Sequence, residues 1–200
     1  MKLVIIDTGC ANLNSVKFAI ERLGVTPIIS DNADIILSAD KLILPGVGTA
    51  QFAVNELQRK NLIPIIRQID KPLLGICLGM QLLGEYSAES QNDKIDTLNL
   101  IPNFTQKLEV GHLPLPHMGW NKIYFNDNSN PLFDGINNGD FVYFVHSYAM
   151  PVNEFTIASS EYGQTFSAMV NKDNFFGMQF HPEKSGQVGA RLLKNFIEKI

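Results

Sequence analysis

The stretch "PLLGICLGMQLLGE", residues 72–85, predicts how the chain is built around one corner. It opens with a continuous apolar run, which is typical of a strand buried on both faces, and it continues in a helical pattern. Gly75 and Gly79 flank Cys77, so the backbone can turn sharply between the strand and the helix. Gly-x-Cys-x-Gly at such a turn has the shape of a nucleophile elbow, which projects its middle side chain from the sheet edge.

The first half of the chain alternates apolar runs with helical patterns. Asn14 is a possible cap of the first helix, and Gly24 is its predicted stop. Strands that alternate with helices indicate a parallel sheet covered on both faces. The predicted strands cover residues 2–7, 26–30, 40–46 and 71–77, and the predicted helices cover 15–24, 50–60 and the segment "PIIRQID".

The second half is richer in strands. Turn residues in "EYGQ" and "KDN" predict hairpins, and "VGARLLKNFIEKI" at the end predicts an amphipathic helix. The predicted class is therefore α/β, with one domain over residues 1–200 and a mixed, mostly parallel central sheet flanked by helices. The predicted β segments are 120–125, 140–150, 155–163, 166–174 and 175–181.

Composition excludes several classes of protein. The net charge is −4 and the basic residues are scattered, so no basic stripe indicates nucleic-acid binding. The chain has only two cysteines and no CxxC, which argues against a disulfide framework or a zinc knuckle and fits a reduced, cytoplasmic setting. No signal-peptide pattern, membrane-length apolar run, Walker A, GxGxxG or HExxH motif is present, so we expect no membrane span, metal or cofactor.

Cys77 is a candidate nucleophile because of its position. A helix N-terminus favours a negatively charged sulfur, and the amide of Leu78 would point towards the place of a carbonyl oxygen during attack. The carboxyl edge of a parallel sheet is also where ligands bind in α/β proteins. The alternative is a small buried cysteine, with glycines that only make room for packing.

A cysteine nucleophile needs a base, and His181 fits best among the four histidines. His112, His117 and His146 are more typical of structural or interfacial residues. His181 ends a predicted strand and is followed by Pro182 and Glu183, and residues i and i+2 of extended backbone point to the same side. Glu183 could therefore accept the second ring N–H and complete a Cys-His-Glu set. The alternative is a solvated strand end.

The strand "KLILPGVG" could supply a second oxyanion donor. It ends in Gly46 and Val47, whose backbone can aim amides inward. Glycine-rich strand ends are common, so this motif by itself carries little weight.

Three separate motifs carry a resemblance to a known family: "GICLGMQLL", "LPGVG" and "QFHPEKSG". Together they resemble class I (triad) glutamine amidotransferase domains, which hydrolyse glutamine to glutamate and ammonia. The stretches "IDTGCANLNSVKFAIERLG", "PHMGWN" and "YFVHSY" narrow the resemblance to the glutaminase subunits of histidine biosynthesis. The resemblance covers nearly the whole chain and implies a flavodoxin-like fold.

The resemblance implies roles for individual residues. Cys77 is the nucleophile, His181 the general base and then acid, and Glu183 the orienting carboxylate. The first βα turn departs from the Tyr-Gly-x-Gly-Asn of these subunits, because it reads Thr8-Gly9-Cys10-Ala11-Asn12, and Cys10 is predicted to be a small loop residue. The implied oxyanion residues are Gly46, Val47 and Leu78, and the implied substrate-binding residues are Gln81, Glu89, Ser147 and Tyr148.

Nothing in the chain can use ammonia, which predicts a second protein docked over the site. The resemblance implies a heterodimer with a (β/α)8-barrel cyclase that consumes a phosphoribosyl aminoimidazole-carboxamide intermediate. Trp120, the only Trp, suits an interface anchor, although core packing is an alternative. The candidate docking residues are Asn12, His117, Met118, Trp120, Asn121 and Lys184.

Three other functions remain open from the residues. A stand-alone γ-glutamyl hydrolase or cysteine peptidase could use the same three groups, and it would turn over without a partner. A binding or regulatory protein with an inert thiol would show no preferential labelling of Cys77. A paralogous amidotransferase would deliver ammonia to a different acceptor.

Overall fold

The computed structural model describes residues 1–9, 13–90 and 94–200. Short 3-10 turns cover Pro131–Phe133 and Pro182–Lys184. The strands and helices follow in the order β1 (Leu3–Ile6), α1 (Leu13–Glu21), β2 (Ile28–Ser30), α2 (Ala33–Leu37), β3 (Lys41–Gly46), α3 (Ala50–Arg59), α4 (Leu62–Arg67), β4 (Leu73–Cys77), α5 (Leu78–Leu82), β5 (Tyr86–Ser87), β6 (Ile95–Asp96), β7 (Gln106–Lys107), β8 (His117–Lys122), β9 (Phe141–His146), β10 (Tyr148–Ala149), β11 (Thr156–Tyr162), β12 (Gln164–Lys172), β13 (Phe175–Met178) and α6 (Gly186–Lys199).

The central sheet has seven strands in the order β11-β12-β13-β4-β3-β1-β2. The five strands from β13 to β2 are parallel, while β11 and β12 are antiparallel to their neighbours. The predicted single α/β domain with a mixed, mostly parallel sheet is confirmed. The hairpin turns predicted at "EYGQ" and "KDN" join β11 to β12 and β12 to β13.

Both faces of the sheet are buried, which explains the continuous apolar runs. Leu3 and Ile5 of β1 pack in one cluster, while Val4 and Ile6 pack in another. The first cluster includes the apolar faces of α1 and α6, and the second includes those of α2, α3, α4 and α5. Successive side chains of a strand point to opposite faces, so a strand in a covered sheet needs apolar residues at every position.

Several elements differ from the sequence prediction. Helix α1 begins at Leu13, so Asn14 lies inside the helix and does not cap it. Gly24 ends the turn after α1 with a φ of 84°, as its predicted role requires. Strand β8 covers His117–Lys122, whereas the predicted β segment covers residues 120–125. Helix α2 and the short strands β5, β6 and β7 were not predicted, because none is longer than five residues.

Strands β8 and β9 form a separate antiparallel ribbon. Its inward face carries His117, Phe144 and His146, all of which are buried. Its outward face carries Met118 and Trp120, which are 62% and 55% exposed. The two-residue period of a strand therefore gives the ribbon one polar and aromatic inner face and one exposed apolar face.

None of the helices in the described ranges combines the length and the apolar content needed to cross a bilayer. Over the same ranges, no group of three or more His, Cys, Asp or Glu side chains is placed to hold a metal ion.

Candidate active site

Three neighbouring strands bring the predicted catalytic segments to one edge of the sheet. Strand β4 lies between β13 and β3, and all three are parallel, so their carboxyl ends meet. Cys77 ends β4, Gly46 ends β3 in register with Cys77, and His181 follows β13. This edge is where ligand sites form in open α/β sheets.

The turn at Cys77 has the predicted elbow geometry. Cys77 has a φ of 53° and a ψ of −111°, a conformation that non-glycine residues rarely adopt and that is found at functional turns. The flanking glycines are required by close packing. A Cβ on Gly79 would lie 1.8 Å from the carbonyl oxygen of Leu44, and a Cβ on Gly75 would lie 2.6 Å from that of Gly79. The helix that follows, α5, is only five residues long.

His181 and Glu183 make the predicted contact. His181 Nδ1 lies 2.8 Å from Glu183 Oε1, and both side chains are buried. The backbone between them differs from the prediction, because Pro182–Lys184 forms a 3-10 turn instead of continuing the strand. The amide of Lys184 and the hydroxyl of Ser185 both donate to the carbonyl of His181, and these bonds stabilise the turn.

The neighbours of the His181 ring favour its protonated form. Burial lowers its pKa, but hydrogen bonds to Cys77 and Glu183, together with the electrostatic effect of both groups, outweigh burial and raise the pKa of His181 to about 10. The ring is therefore charged at neutral pH and lies between a sulfur and a carboxylate. This arrangement brings together the three predicted groups of the Cys-His-Glu set.

A cleft of about 320 Å³ opens over Cys77. Its volume suits an amino-acid-sized ligand better than a large cofactor. The residues around it come from the loop after β3, from the elbow, from the segment joining β9 to β10 and from the turn after β13. They are Val47, Gly48, Cys77, Leu78, Gln81, Glu89, Pro116, Val145, His146, Ser147, Tyr148, His181 and Lys184.

A larger depression of about 560 Å³ lies elsewhere, beside Tyr124, Asp127 and Thr156. Neither a histidine nor a cysteine is among the residues that line it. The smaller cleft is lined by Cys77, His181 and the half-buried Glu89, so it is the candidate active site.

Glu89 lies in the wall of the cleft. Its Oε2 accepts a hydrogen bond from the amide of Ala50 at the start of α3, over 3.2 Å. Burial raises the pKa of the Glu89 carboxyl, and the Ala50 amide opposes this shift. The Glu89 carboxyl is thus half-buried and not freely solvated, and such a carboxylate in a cleft is suited to a cationic group of a ligand.

Hydrogen bonds within the protein limit which groups of Gln81, Ser147 and Tyr148 could bind a substrate. All three line the cleft. Gln81 Nε2 donates to the carbonyl of Tyr148 over 2.9 Å and to Gln179 Oε1 over 3.0 Å. The carbonyl of Ser147 accepts from the amide of Leu108. The Tyr148 carbonyl also accepts from His146 Nδ1, so both of its lone pairs are used and a ligand would meet other polar groups, such as the Gln81 oxygen.

Gln179 was not predicted and lies next to the Cys77 sulfur. It is fully buried and its Nε2 lies 3.8 Å from Cys77 Sγ, within the range of a hydrogen bond to sulfur. The sequence carried one signal for it, because Gln179 lies two residues before His181 and so projects to the same side of an extended segment.

The predicted oxyanion residues lie next to one another. Gly46 is paired with Cys77, and a Cβ on Gly46 would lie 2.9 Å from the amide nitrogen of Gly79 and 3.0 Å from Leu78 Cβ. Val47 and Leu78 both line the cleft. The end of β3 therefore lies close to the start of α5, an arrangement that fits an oxyanion site made by the amides of Val47 and Leu78. The role of these amides stays a prediction.

The predicted docking residues divide into two groups. Met118 and Trp120 point outward from β8, and Lys184 is exposed at the cleft. His117 is only 3% exposed and is stacked against Tyr162 on the inner face, so its prediction as a docking residue is corrected. Side chains alternate along β8, and two neighbours cannot both face outward.

Of the two remaining predicted docking residues, the structure describes Asn121 but not Asn12. Asn121 is partly exposed, and its amide is bonded to His117 and to the carbonyl of Glu161. Asn12 and Cys10 lie outside the described residues.

Comparison with known proteins agrees with this geometry. The sequence profile of the family described as Glutamine amidotransferase class-I matches residues 4–200. The imidazole glycerol phosphate synthase subunit HisH of Salmonella typhimurium is 58% identical over 99% of this chain and 100% of its own length. The protein of the same name from Photobacterium profundum is 57% identical over 98% of this chain and 97% of its own.

Solved structures share the fold. A putative GMP synthase protein from Thermoplasma acidophilum gives a TM-score of 0.74 at 20% identity and covers 98% of this chain and 92% of its own. The glutaminase domain of Trypanosoma brucei CTPS, solved with bound acivicin, gives 0.65 at 14% identity and covers 100% and 95%.

Proposed function

Since this chain belongs to the class-I glutamine amidotransferase family, we propose that it is the glutaminase subunit of an imidazole glycerol phosphate synthase, with a role in histidine biosynthesis. Identity of 58% across the whole of the Salmonella protein supports this function. It does not favour a stand-alone hydrolase. The observation that supports the chemistry is the 2.8 Å contact between His181 Nδ1 and Glu183 Oε1 at the cleft that Cys77 also lines.

The reaction proceeds by acyl transfer in two steps. The Cys77 sulfur attacks the side-chain amide carbon of glutamine, and the protonated His181 gives its proton to the departing ammonia. Water then attacks the thioester, His181 takes its proton, and glutamate leaves. Glu183 keeps the ring oriented and balances its charge throughout.

The cleft supports the binding of glutamine. Glu89 receives the α-ammonium group, and groups of Ser147 and Tyr148 hold the amino-acid end. The amides of Val47 and Leu78 stabilise the oxyanion, and each is worth about 3 kcal/mol of transition-state stabilisation.

A partner protein receives the ammonia. Free ammonia would be protonated in neutral water and would lose its nucleophilicity, so the product has to pass through a shielded path. We assign the partner as a (β/α)8-barrel cyclase that forms a heterodimer with this chain. The exposed apolar face of the β8–β9 ribbon supports this assignment, because Met118 and Trp120 lie on the strand pair that also supplies Val145 to the cleft.

Replacing Cys77 tests the proposal. Cys77→Ala should reduce the release of ammonia from glutamine, measured with the partner cyclase present, by at least about 10⁴-fold, because the covalent step is lost. Glu154→Gln, a change of an exposed residue, serves as the control and should retain the wild-type rate. Retained turnover in Cys77→Ala would refute the nucleophile, and no turnover in the wild type would refute the proposed function.

A further inference from the structure

A continuous series of hydrogen bonds runs from the docking ribbon to the nucleophile. It starts at Asn121 on β8, passes through His117 to His146 on β9, and reaches the carbonyl of Tyr148. Gln81 and Gln179 continue it to Cys77 Sγ. Every bond up to the sulfur is 3.3 Å or shorter.

The direction of each bond in the histidine half follows from the carbonyl of Tyr148, which can only accept. His146 Nδ1, 2.9 Å away, must therefore carry the proton, and its Nε2 accepts from His117 Nδ1 over 2.9 Å. His117 Nε2 then accepts from the amide of Asn121. Burial lowers the pKa of His117 to about 4 and that of His146 to about 3, so both rings are neutral, as this series requires.

The carbonyl of Tyr148 also determines how the side-chain amides of Gln81 and Gln179 are oriented. Gln81 must turn its nitrogen towards the carbonyl of Tyr148, and the same nitrogen reaches Gln179 Oε1. Gln179 therefore presents its oxygen to Gln81 and its N–H groups to Cys77 Sγ. A flipped Gln179 would direct a lone pair at the sulfur and an N–H at another N–H, so the flipped orientation is excluded energetically.

We propose that Gln179 is a positioning residue for the Cys77 sulfur, held in its donating orientation by Gln81, the Tyr148 carbonyl and the His146–His117 pair. Gln179 is fully buried and is not among the residues that line the cleft, so it acts through the sulfur and not on the ligand. Its N–H directs the lone pairs of a negative sulfur and stabilises that charge. The inference rests on the proposed function for its kinetic consequence, but not for its effect on thiol reactivity.

Replacement of Gln179 by Met keeps the length of the side chain and removes the donor. In the complex with the partner cyclase, we expect Gln179→Met to lower kcat for glutamine hydrolysis roughly tenfold or more, while KM stays within about twofold. In the chain alone, the alkylation of Cys77 by iodoacetamide at pH 7, mapped by mass spectrometry, should slow by a similar factor. Gln179→Glu keeps the acceptor for Gln81 but offers no N–H, and should show the same losses.

The histidine pair is tested by rescue. His146→Leu removes the donor to Tyr148 and should lower kcat and the rate of alkylation about tenfold. His146→Asn places an amide N–H where Nδ1 stood and should recover most of both losses. If His146 had only a structural role, His146→Leu and His146→Asn would have similar kcat values and alkylation rates, provided that unfolding in urea shows both variants to be folded.

Asn195→Leu is the matched control. Asn195 is also buried and donates to two carbonyls, those of Leu132 and Asp134, but it lies on α6 away from the cleft. Its replacement should lower the free energy of unfolding and leave kcat and alkylation unchanged. Wild-type alkylation rates in Gln179→Met and Gln179→Glu would overturn the inference. Absence of glutamine turnover in the wild type would overturn the proposed function instead, and the alkylation rates would still decide the role of Gln179.

Discussion

His181 shows how two neighbours reverse the effect of burial on one side chain. Desolvation favours the neutral ring, but the hydrogen bonds and charges of Cys77 and Glu183 favour the imidazolium and raise the pKa to about 10. His146 and His117 are buried without such anionic partners, and their pKa values fall to about 3 and about 4. The environment of each ring therefore determines its pKa, which is raised for His181 and lowered for His117 and His146.

Removing the charge of Glu183 should lower the pKa of His181. In Glu183→Gln, the ring keeps its burial but loses the hydrogen bond to a carboxylate and the favourable charge. The measurement is an NMR titration of ¹⁵N-labelled histidine, with Glu154→Gln as the matched control at an exposed site. An unchanged titration of His181 would show that the carboxylate does not stabilise the imidazolium.

The raised pKa of His181 predicts that the stability of the fold depends on pH. The pKa of His181 in the folded chain, about 10, lies above the ordinary value of 6.5, so protonation favours the folded state. This contribution is fully present below about pH 6.5 and is lost as the pH rises towards 10. The difference in unfolding free energy between the wild type and Glu183→Gln should therefore shrink over that interval, as measured by urea unfolding at a series of pH values.

Among the individual elements, the C-terminal end of helix α6 is hydrogen-bonded to the side chain of Lys41 in the sheet. Lys41 Nζ, at the start of β3, donates to the carbonyls of Phe196 and Ile197 over 3.0 and 2.6 Å. Burial lowers the pKa of Lys41, against the opposing charge of Asp40. Carbonyls in the last turn of a helix have no partner within the helix, and a cation there also meets the negative end of the helix dipole.

Replacing Lys41 by Met should destabilise the fold by about 1–2 kcal/mol, because two carbonyls lose a charged donor. Lys194→Met on α6 is the matched control, since Lys194 makes only an exposed contact of 3.9 Å with Glu198. That change should cost less than about 0.5 kcal/mol. Urea unfolding followed by circular dichroism measures both, and equal losses would contradict the capping role of Lys41.

Across the molecule, the β8–β9 ribbon joins the exposed apolar surface to the turn that carries His181 and Glu183. The carbonyl of Tyr143 on β9 accepts a hydrogen bond from the amide of His181, and the amide of Tyr143 donates to Ser185 Oγ. The outer face of the same ribbon carries Trp120 opposite Tyr143. A partner docked on this face would therefore contact Trp120, whose ring packs against that of Tyr143, and the Tyr143 carbonyl is bonded to the His181 amide.

Truncating Trp120 should weaken the proposed heterodimer more than the fold. Trp120→Ala should raise the Kd for the partner cyclase at least about tenfold, because exposed aromatic anchors dominate interface energies. Its unfolding free energy should change by less than about 1 kcal/mol. Leu37→Ala is the control. Leu37 is 43% exposed and ends α2, which leads into the amino end of β3 at the opposite edge of the sheet. Calorimetric titration measures both affinities, and an unchanged Kd for Trp120→Ala would place the interface elsewhere.

The order of residues along the chain was enough to predict the class of fold, the elbow at Cys77 and the pairing of His181 with Glu183. These depend on short-range information: apolar runs without alternation, glycines that flank a turn, and two residues separated by one proline. The family motifs added the order of the catalytic groups along the chain. Such patterns are readable in the primary structure because the backbone geometry they require is local.

Three features depend on the tertiary structure. They are the face of β8 that each residue occupies, the burial of His117, and the position of Gln179 next to the Cys77 sulfur. The segment "PHMGWN" has the composition of a loop, and its pairing with β9 comes from a strand more than 20 residues away. The bond from Gln179 to Cys77 spans 102 positions, and its direction depends on a carbonyl in a third segment. Hydrogen bonds between distant segments leave no periodic pattern along the chain, so they form only when those segments have been brought together.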